Sequence, residues 1–131
     1  MKILFLTHNL KQDNGAGVFS LRLIRGIREG LKCDVAVLTS VPSGQPFEKP
    51  ILYPQKSQLV RQWRTIRSMM KACDVIHALD AFPYGIIAVL LSRGLGKKVI
   101  ITAAGSGAII PLYQWQYGFF LAFAYRHADR M

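Results

Sequence analysis

Short apolar runs alternate with longer segments of helical period along this chain, and no other feature of the sequence constrains its fold as strongly. Five runs are predicted to form strands: 3–7, 34–39, 51–53, 75–78 and 98–102. Prolines flank the third run, which is typical of an edge strand. The other runs are rich in Val, Ile and Leu without polar alternation, as in strands covered on both faces. The alternation predicts βαβ units and a mostly parallel sheet.

The segments between these runs carry the apolar stripe of amphipathic helices. After the first strand, one helical face is formed by Leu23, Ile24, Ile27 and Leu31. In the segment 57–72, the residues predicted to face inward are Trp63, Ile66, Met69 and Met70. Two more helices are predicted, over 84–93 and 112–128. The whole pattern predicts an α/β, Rossmann-like three-layer sandwich with helices on both faces, formed by residues 1–131 as a single domain.

Composition indicates a packed globular chain without a metal site or a disulfide framework. Hydrophobic residues make up 51% of the sequence and charged residues 18%, unlike a disordered segment. Cys33 and Cys73 have no histidine partners at zinc-site spacing, and both are predicted to be free thiols in a reducing cytoplasm. The apolar run at 3–6 is too short for a signal peptide. A cytoplasmic location is therefore expected, with peripheral contact to the inner face of the membrane left open.

The chain is strongly basic, with 17 Lys and Arg against 7 Asp and Glu and a net charge of +10. Such an excess predicts an anionic partner: an anionic membrane surface, a phosphorylated substrate or nucleic acid. The predicted helix in the segment 57–72 carries a basic stripe with no acid in it, formed by Arg61, Arg64, Arg67 and Lys71. The stripe is interpreted either as a solvated helix face or as a contact with anionic lipid. Nucleic acid is disfavoured because no nucleic-acid-binding motif accompanies the charge.

The segment 99–125 contains no charged residue and is long enough to span a bilayer. Glycines, Pro111 and two glutamines interrupt it, and its first part continues a strand pattern, so a strand, a glycine loop and an apolar helix are predicted instead. Its aromatic density exceeds what one buried face needs. We therefore expect part of this helix to meet a membrane surface or another domain.

A glycine loop, Gly15-Ala16-Gly17, follows the first strand and opens a helix. This order places backbone N–H groups and a helix amino terminus where a phosphate can bind. The loop departs from the dinucleotide fingerprint, because residues 8–14 intervene after the strand and Thr39 stands where the ribose-binding acid is expected. The other interpretation of the loop is that its small residues allow the helix to pack closely.

Four segments, in the same order and over nearly the whole chain, resemble the enzymes of glycosyltransferase family 4. They are Cys-Asp-Val-Ala-Val-Leu-Thr at 33–39, Asp-Val-Ile-His-Ala at 74–78, Lys-Val-Ile-Ile-Thr at 98–102 and Tyr-Arg-His-Ala-Asp-Arg at 125–130. The opening strand, loop and glycine pair are similar to that family as well. The resemblance implies a B-type fold, in which two Rossmann-like domains face each other across a cleft.

In that family the N-terminal domain binds the acceptor, and the C-terminal domain holds the nucleotide. The resemblance therefore implies retaining transfer from a nucleotide-sugar, which is a co-substrate, without a resident cofactor or a metal. It places Gly15, Ala16 and Gly17 against the donor's diphosphate, where backbone N–H groups stabilise the charge that develops on the leaving group. The sequence ends before a donor-binding half. We therefore expect it to form the acceptor-side domain, which is inactive alone.

Polar residues that follow the predicted strands are the candidates for contact with substrates. On the acceptor side they are His8, Asn9, Gly105 and Ser106. His77 and Asp80 are the candidates for catalysis, because they lie near the strand ends where sites gather and Asp80 can accept a proton from a hydroxyl. A hydrogen-bonded supporting role for His77 and a helix cap for Asp80 are the alternatives. The family often has a histidine in the loop after the fifth strand, where this chain has Ala104.

These features predict the N-terminal domain of a glycosyltransferase that acts on a lipid-linked or polysaccharide precursor of the cell envelope. The expected partners are a nucleotide-sugar, a glycan or lipid-linked acceptor, an anionic membrane surface, and either a C-terminal domain or a second copy of the chain at an apolar surface. The alternative is a stand-alone, non-catalytic Rossmann-like module that binds a phosphate-bearing ligand or nucleic acid.

Overall fold

A parallel sheet forms the centre of the molecule, and the computed structural model describes residues 1–52, 56–103 and 109–130 of the chain. The strands are β1 (Lys2–Thr7), β2 (Asp34–Thr39), β3 (Glu48–Lys49), β4 (Val75–Ala78) and β5 (Lys98–Ile101). The helices are α1 (Gly15–Leu31), α2 (Lys56–Lys71), α3 (Ile86–Ser92) and α4 (Trp115–His127). Within the described residues the strand order is β3-β2-β1-β4-β5, and every pairing is parallel.

The helices cover both faces of this sheet, which confirms the predicted Rossmann-like three-layer arrangement. One face packs against α1 through a cluster that includes Ile3, Phe5, Leu21, Ile24, Val37 and Leu79. The opposite face packs against α2, α3 and α4 through a cluster that includes Leu4, Leu6, Leu38, Ile66, Met70, Ile76, Ala88 and Leu121. Strand β1 lies between β2 and β4, so its residues from Ile3 to Thr7 are all buried.

Helix α1 is fixed at both ends by local chemistry. At its start the side-chain oxygen of Asn14 accepts a hydrogen bond from Gly17 N at 2.7 Å, which caps the first turn. At its end Lys32 adopts a left-handed conformation with φ of 47°. Leu31 was predicted to lie on the buried face, but it is 61% exposed, because the helix stops there and the chain turns away at Lys32.

The third strand was predicted at 51–53; this prediction is wrong for Ile51 and Leu52, which lie in no strand, and residue 53 lies outside the described residues. The strand is the polar pair Glu48–Lys49, which pairs with Val37 and Leu38 at the edge of the sheet. Pro50 follows directly and has no N–H to continue the ladder. The apolar residues beyond it serve the core instead, since Leu52 is 1% exposed and lies in no strand.

The helices on the second face also differ from the sequence prediction. The predicted helix 84–93 is split into a wide turn of π type, Ala81–Gly85, and the short α3. The predicted helix 112–128 is a 3-10 turn, Ile110–Tyr113, followed by α4. Trp63 was predicted to face inward but is 40% exposed, because α2 buries its second half, around Ile66 and Met70, against the core.

After α4 the chain returns beside β5, where Arg130 forms a parallel bridge with Ile100. The Asp129 carboxylate accepts a hydrogen bond from Val99 N at 2.8 Å and lies 3.5 Å from Lys98 Nζ. Across the described ranges this is the one ion pair, so the other basic side chains there are not neutralised by acids. None of the helices in that part of the chain combines the length and apolarity needed to cross a bilayer.

Candidate functional site

A cavity of about 310 Å³ opens at the carboxyl ends of β1 and β4. The chain leaves β1 for α1 on one face of the sheet and leaves β4 for α3 on the other, so the loops that follow β1 and β4 diverge here. Such a switch point is where open parallel sheets bind their ligands. The residues that line the cavity are Thr7, His8, Gly15, Ala16, Phe19, Ser20, Leu79 and Asp80.

Gly15 and Ala16 of the glycine loop line the cavity, whereas Gly17 does not line it and instead allows a close backbone crossing. The N–H of Gly17 is already taken by the capping side chain of Asn14. A Cβ at Gly17 would lie 2.8 Å from Lys11 N and closer still to Lys11 O, so only glycine fits at this crossing. The N–H groups of Gly15 and Ala16 belong to the first helical turn, which has no intrahelical acceptors for them.

His8 lines the cavity, and hydrogen bonds to neighbouring residues fix its ring and its backbone. Its Nδ1 lies 2.9 Å from the hydroxyl of Tyr84, which is 4% exposed. The Tyr84 hydroxyl also lies 2.8 Å from Ser40 Oγ, and His8 O accepts hydrogen bonds from Ser40 N and Val41 N, each at 3.0 Å. With Nδ1 occupied, Nε2 is the ring nitrogen that His8 can offer to a ligand.

Asp80 lies on the same cavity as His8 and begins the wide turn that follows β4. Burial raises the pKa of its carboxyl, and the backbone N–H groups of Ala81 and Phe82 and the nearby His8 act in the opposite direction. The bond from Ala81 N to Asp80 Oδ1 is 2.8 Å long. Asp80 thus caps the turn through Oδ1, as the alternative interpretation expected, and it also lines the cavity.

His77 is not among the cavity-lining residues. Its Nε2 lies 2.7 Å from Thr102 Oγ1, and its ring packs 5.2 Å from that of Phe5. Burial lowers the pKa of His77 to about 4, so the ring is neutral at pH 7. The structure therefore places the two catalytic candidates in different surroundings, with Asp80 on the cavity and His77 within the sheet.

The remaining acceptor-side candidates lie elsewhere. Asn9 is 7% exposed, and its Oδ1 accepts hydrogen bonds from Lys11 N at 3.0 Å and Asn14 Nδ2 at 3.2 Å, so it shapes the loop before α1. Gly105 and Ser106 lie outside the described residues.

Several residues of this region were missed by sequence reasoning. Thr7 and Ser20 line the cavity with hydroxyls 3.0 Å apart, and Phe19 lines it while remaining 43% exposed. The positions of Thr7 at the end of a strand and of Ser20 in the second turn of the following helix could have suggested the pair. Tyr84 was predicted only as the first residue of the helix 84–93, and nothing in the local sequence indicates its contact with His8.

The basic stripe on α2 is shorter than predicted. Arg61, Arg64 and Lys71 are exposed, and the Arg64 guanidinium lies 5.7 Å from the centre of the Trp63 ring. Arg67 is half-buried and donates to Leu91 O at 2.6 Å, so it joins α2 to α3. Among the residues that the structure describes, no three His, Cys, Asp or Glu side chains come together as metal ligands.

Comparison with known proteins gives a family model that covers almost the whole chain. A family model described as glycosyl transferase 4-like matches residues 2–131. No curated protein matches the chain. Among solved structures, an exopolyphosphatase-related protein from Bacteroides fragilis is 18% identical over 80% of this chain, with a TM-score of 0.43. Homoserine dehydrogenase from S. aureus is 12% identical over 99% of this chain, with a TM-score of 0.48. The chain spans 31% of the length of each of these two proteins.

Proposed function

This chain belongs to the glycosyl transferase 4-like family, and from that premise we propose that it is the acceptor-binding domain of a retaining glycosyltransferase. In this proposal the donor is a nucleotide-sugar that acts as a co-substrate, and no resident cofactor takes part. The acceptor is a lipid-linked or polysaccharide precursor, and a donor-binding domain completes the active site. The observation that carries the proposal is the cavity that joins the start of α1 to His8 and Asp80.

The start of α1 supports a contact with the donor's diphosphate. Gly15 and Ala16 line the cavity, and their N–H groups lie in a helical turn that provides them with no acceptor. The space beside Gly15 is open, so a ligand can approach its backbone closely. A nucleoside diphosphate gains negative charge as the bond to the sugar breaks, and a helix amino terminus stabilises such charge.

His8 and Asp80 support a contact with the acceptor on the same cavity. Asp80 accepts a hydrogen bond, and then the proton, from the acceptor hydroxyl as its oxygen bonds to the sugar from the same side as the departing diphosphate, which retains the configuration. Burial raises the pKa of Asp80, which makes its carboxylate a better proton acceptor than an exposed one. His8 positions the acceptor through Nε2, since Tyr84 holds Nδ1.

A lipid-linked acceptor requires the domain to work at a membrane surface. The exposed residues of the α2 stripe, Arg61, Arg64 and Lys71, support such a location. Each basic residue near an anionic surface contributes about 1 kcal/mol. The net charge of +10 acts in the same direction.

The test maps where donor probes bind on the ¹⁵N-labelled chain. With UDP-glucose, GDP-mannose and inorganic pyrophosphate as probes, the largest amide shifts are expected at Gly15 and Ala16. Shifts confined to the far end of α1, around Arg28, would contradict the proposed diphosphate site. In a transfer assay with radiolabelled donors and a membrane lipid extract, product is expected only when a donor-binding domain is joined to the chain. Product from the chain alone would contradict its assignment as one half of the active site.

A further inference from the structure

The segment 109–120 exposes an unusual amount of apolar surface for a packed α/β fold. Five of its residues form what we call the aromatic surface: Tyr113, Trp115, Tyr117, Phe119 and Phe120. Tyr113 is 86% exposed, Trp115 88% and Phe119 74%. Ile109 and Ile110, which precede these residues in the sequence, are each more than half exposed. Exposed apolar side chains at this density mark a contact with a protein or a membrane.

The backbone beneath the aromatic surface is compact. Pro111 is buried, and its carbonyl accepts a hydrogen bond from Gln114 N at 3.2 Å. Gln114 O in turn accepts one from Gly118 N at 2.8 Å, at the start of α4. Gly118 allows a close crossing, since a Cβ there would lie 2.7 Å from Leu112 O. Tyr113 and Trp115 therefore project outward from a turn that is held in place by its own bonds.

The charges around this surface favour a lipid occupant over a protein one. The segment 99–125 has no charged residue, and no acid occurs between Asp80 and Asp129. Trp and Tyr beside Phe and Ile are the residues enriched at the membrane–water interface. The excess positive charge of the chain complements an anionic leaflet.

The aromatic surface also borders the candidate site. The Tyr117 ring packs against the ring of Phe82, with centres 5.0 Å apart. Phe82 is two residues beyond Asp80, which lines the cavity. A membrane that covered the aromatic surface would therefore lie beside the mouth of the cavity.

We propose that the aromatic surface inserts into the interfacial layer of an anionic phospholipid membrane and so holds the cavity against the bilayer. This inference deepens the proposed function and rests on it, because a lipid-linked acceptor would reach the cavity from the membrane. In this proposal the aromatic surface is the main docking surface, and the α2 stripe adds only electrostatic attraction to the anionic lipid.

The chain has two tryptophans, Trp115 on the aromatic surface and Trp63 beside the α2 stripe, and these distinguish the two docking surfaces. Trp63→Phe leaves Trp115 as the only indole, and Trp115→Phe leaves Trp63. With phosphatidylcholine vesicles containing about 30% phosphatidylglycerol, Trp115 fluorescence is expected to shift to the blue and to be quenched by brominated lipid tails. Trp63 fluorescence is expected to change little. Quenching of Trp63 without Trp115, or of neither, would overturn the proposal.

Sedimentation with the same vesicles supplies the second measurement. The pair Tyr113→Ser and Trp115→Ser is expected to weaken vesicle binding about tenfold or more, because each side chain loses its apolar burial. Trp63→Ser is the matched control and is expected to keep most of the binding. Equal loss in both variants would overturn the proposal.

The rival occupants are the donor-binding domain of the proposed function and a second copy of the chain. With a donor-binding domain joined to the chain, Trp115 is still expected to be quenched by the brominated lipid, and loss of that quenching would overturn the proposal. Light scattering of the lipid-free chain is expected to show a monomer. A dimer that Trp115→Ser dissociates would overturn the proposal in favour of self-association. These outcomes are independent of the proposed function, since diphosphate binding at Gly15 and Ala16 is measured without lipid and can fail or succeed whatever the vesicles show.

Discussion

The imidazole Nδ1 of His8 lies 2.9 Å from the hydroxyl oxygen of Tyr84, although 76 residues separate the two in the sequence. Because Tyr84 also contacts Ser40, one buried hydroxyl joins the segments that follow β1, β2 and β4 at the carboxyl edge of the sheet. Burial raises the pKa of Tyr84, so its hydroxyl stays protonated and remains a hydrogen-bond donor at neutral pH. Tyr84 is thus a positioning residue for the cavity-lining imidazole of His8.

Tyr84→Phe is expected to lower the free energy of unfolding by about 1–2 kcal/mol, because it leaves buried partners without the hydroxyl. The His8 ring should also lose its fixed tautomer, which the ¹⁵N shifts of its ring nitrogens report. Tyr117→Phe is the matched control, since Tyr117 is 41% exposed, and it should change neither measurement. Unchanged ring shifts in Tyr84→Phe would show that Tyr84 does not position His8.

Gly17 and Gly26, two of the four glycines of α1, give opposite predictions for the same substitution. Gly17→Ala places a methyl group against the backbone of Lys11 and should destabilise the chain by about 2 kcal/mol or more. Gly26→Ala meets nothing within 4 Å and should stabilise the helix by about 0.5–1 kcal/mol. Urea unfolding of both variants checks the pair. Equal effects would contradict the close crossing at Lys11.

These cases show how far the sequence predicts this structure. The buried strands and α1 were predictable, because a strand covered on both faces needs a continuous apolar run and a helix needs a stripe. The polar edge strand Glu48–Lys49 was not, since an edge strand needs no apolar face and the run at 51–53 was the stronger signal. The helical period of the apolar residues also does not show how much of the length of α2 packs against the core, so Trp63 was assigned to the wrong face.

The site was predicted only in part for a similar reason. His8, Gly15, Ala16 and Asp80 were found because they follow strands or open a helix, and the fold brings those positions to one edge. The role of Tyr84 depends on a contact across 76 residues, which no local pattern encodes.

His77 makes the stability of the chain depend on pH. Burial lowers its pKa to about 4 in the folded chain, whereas the unfolded chain binds the proton near about 6.5. The His77 contribution is therefore fully present above about pH 6.5 and is lost as the pH falls from there to about 4. The slope within this window is at most about 1.4 kcal/mol per pH unit. NMR titration of the ring and urea unfolding of His77→Gln check this.

His127→Gln is the control for that measurement, because the His127 ring is exposed at the end of α4. It should keep the wild-type pH dependence, which His77→Gln should lose over the same window. A His77 midpoint near 6.5 would contradict its burial beside Phe5 and Thr102.

Glu48 fixes the loop between β2 and β3. Its carboxylate accepts hydrogen bonds from Thr39 Oγ1 at 2.6 Å and from Ser43 Oγ at 2.7 Å. Burial acts to raise the pKa of Glu48, but these bonds and the N–H groups of Ser43 and Gln45 lower it overall. Its stabilisation is therefore present at neutral pH and is lost as the pH falls through the lowered pKa.

Glu48→Gln is expected to cost about 1–2 kcal/mol at pH 7, because hydrogen bonds to a charged group are replaced by weaker ones. The difference from wild type should shrink at acid pH, where Glu48 is protonated as well. Urea unfolding at neutral and acid pH measures both values. A difference that is the same at both would show that the charge of Glu48 does not matter.

The most direct test of the account is the affinity of pyrophosphate for Ala16→Asp compared with Gly26→Asp. Both variants add one negative charge to α1, and an acid in the first turn is favourable for a helix, so Ala16→Asp should stay folded. Calorimetry is expected to show binding about five- to tenfold weaker in Ala16→Asp than in wild type, because the new carboxylate occupies the diphosphate position. Gly26→Asp should bind nearly as well as wild type. Equal binding by the two variants would contradict a diphosphate site at the start of α1.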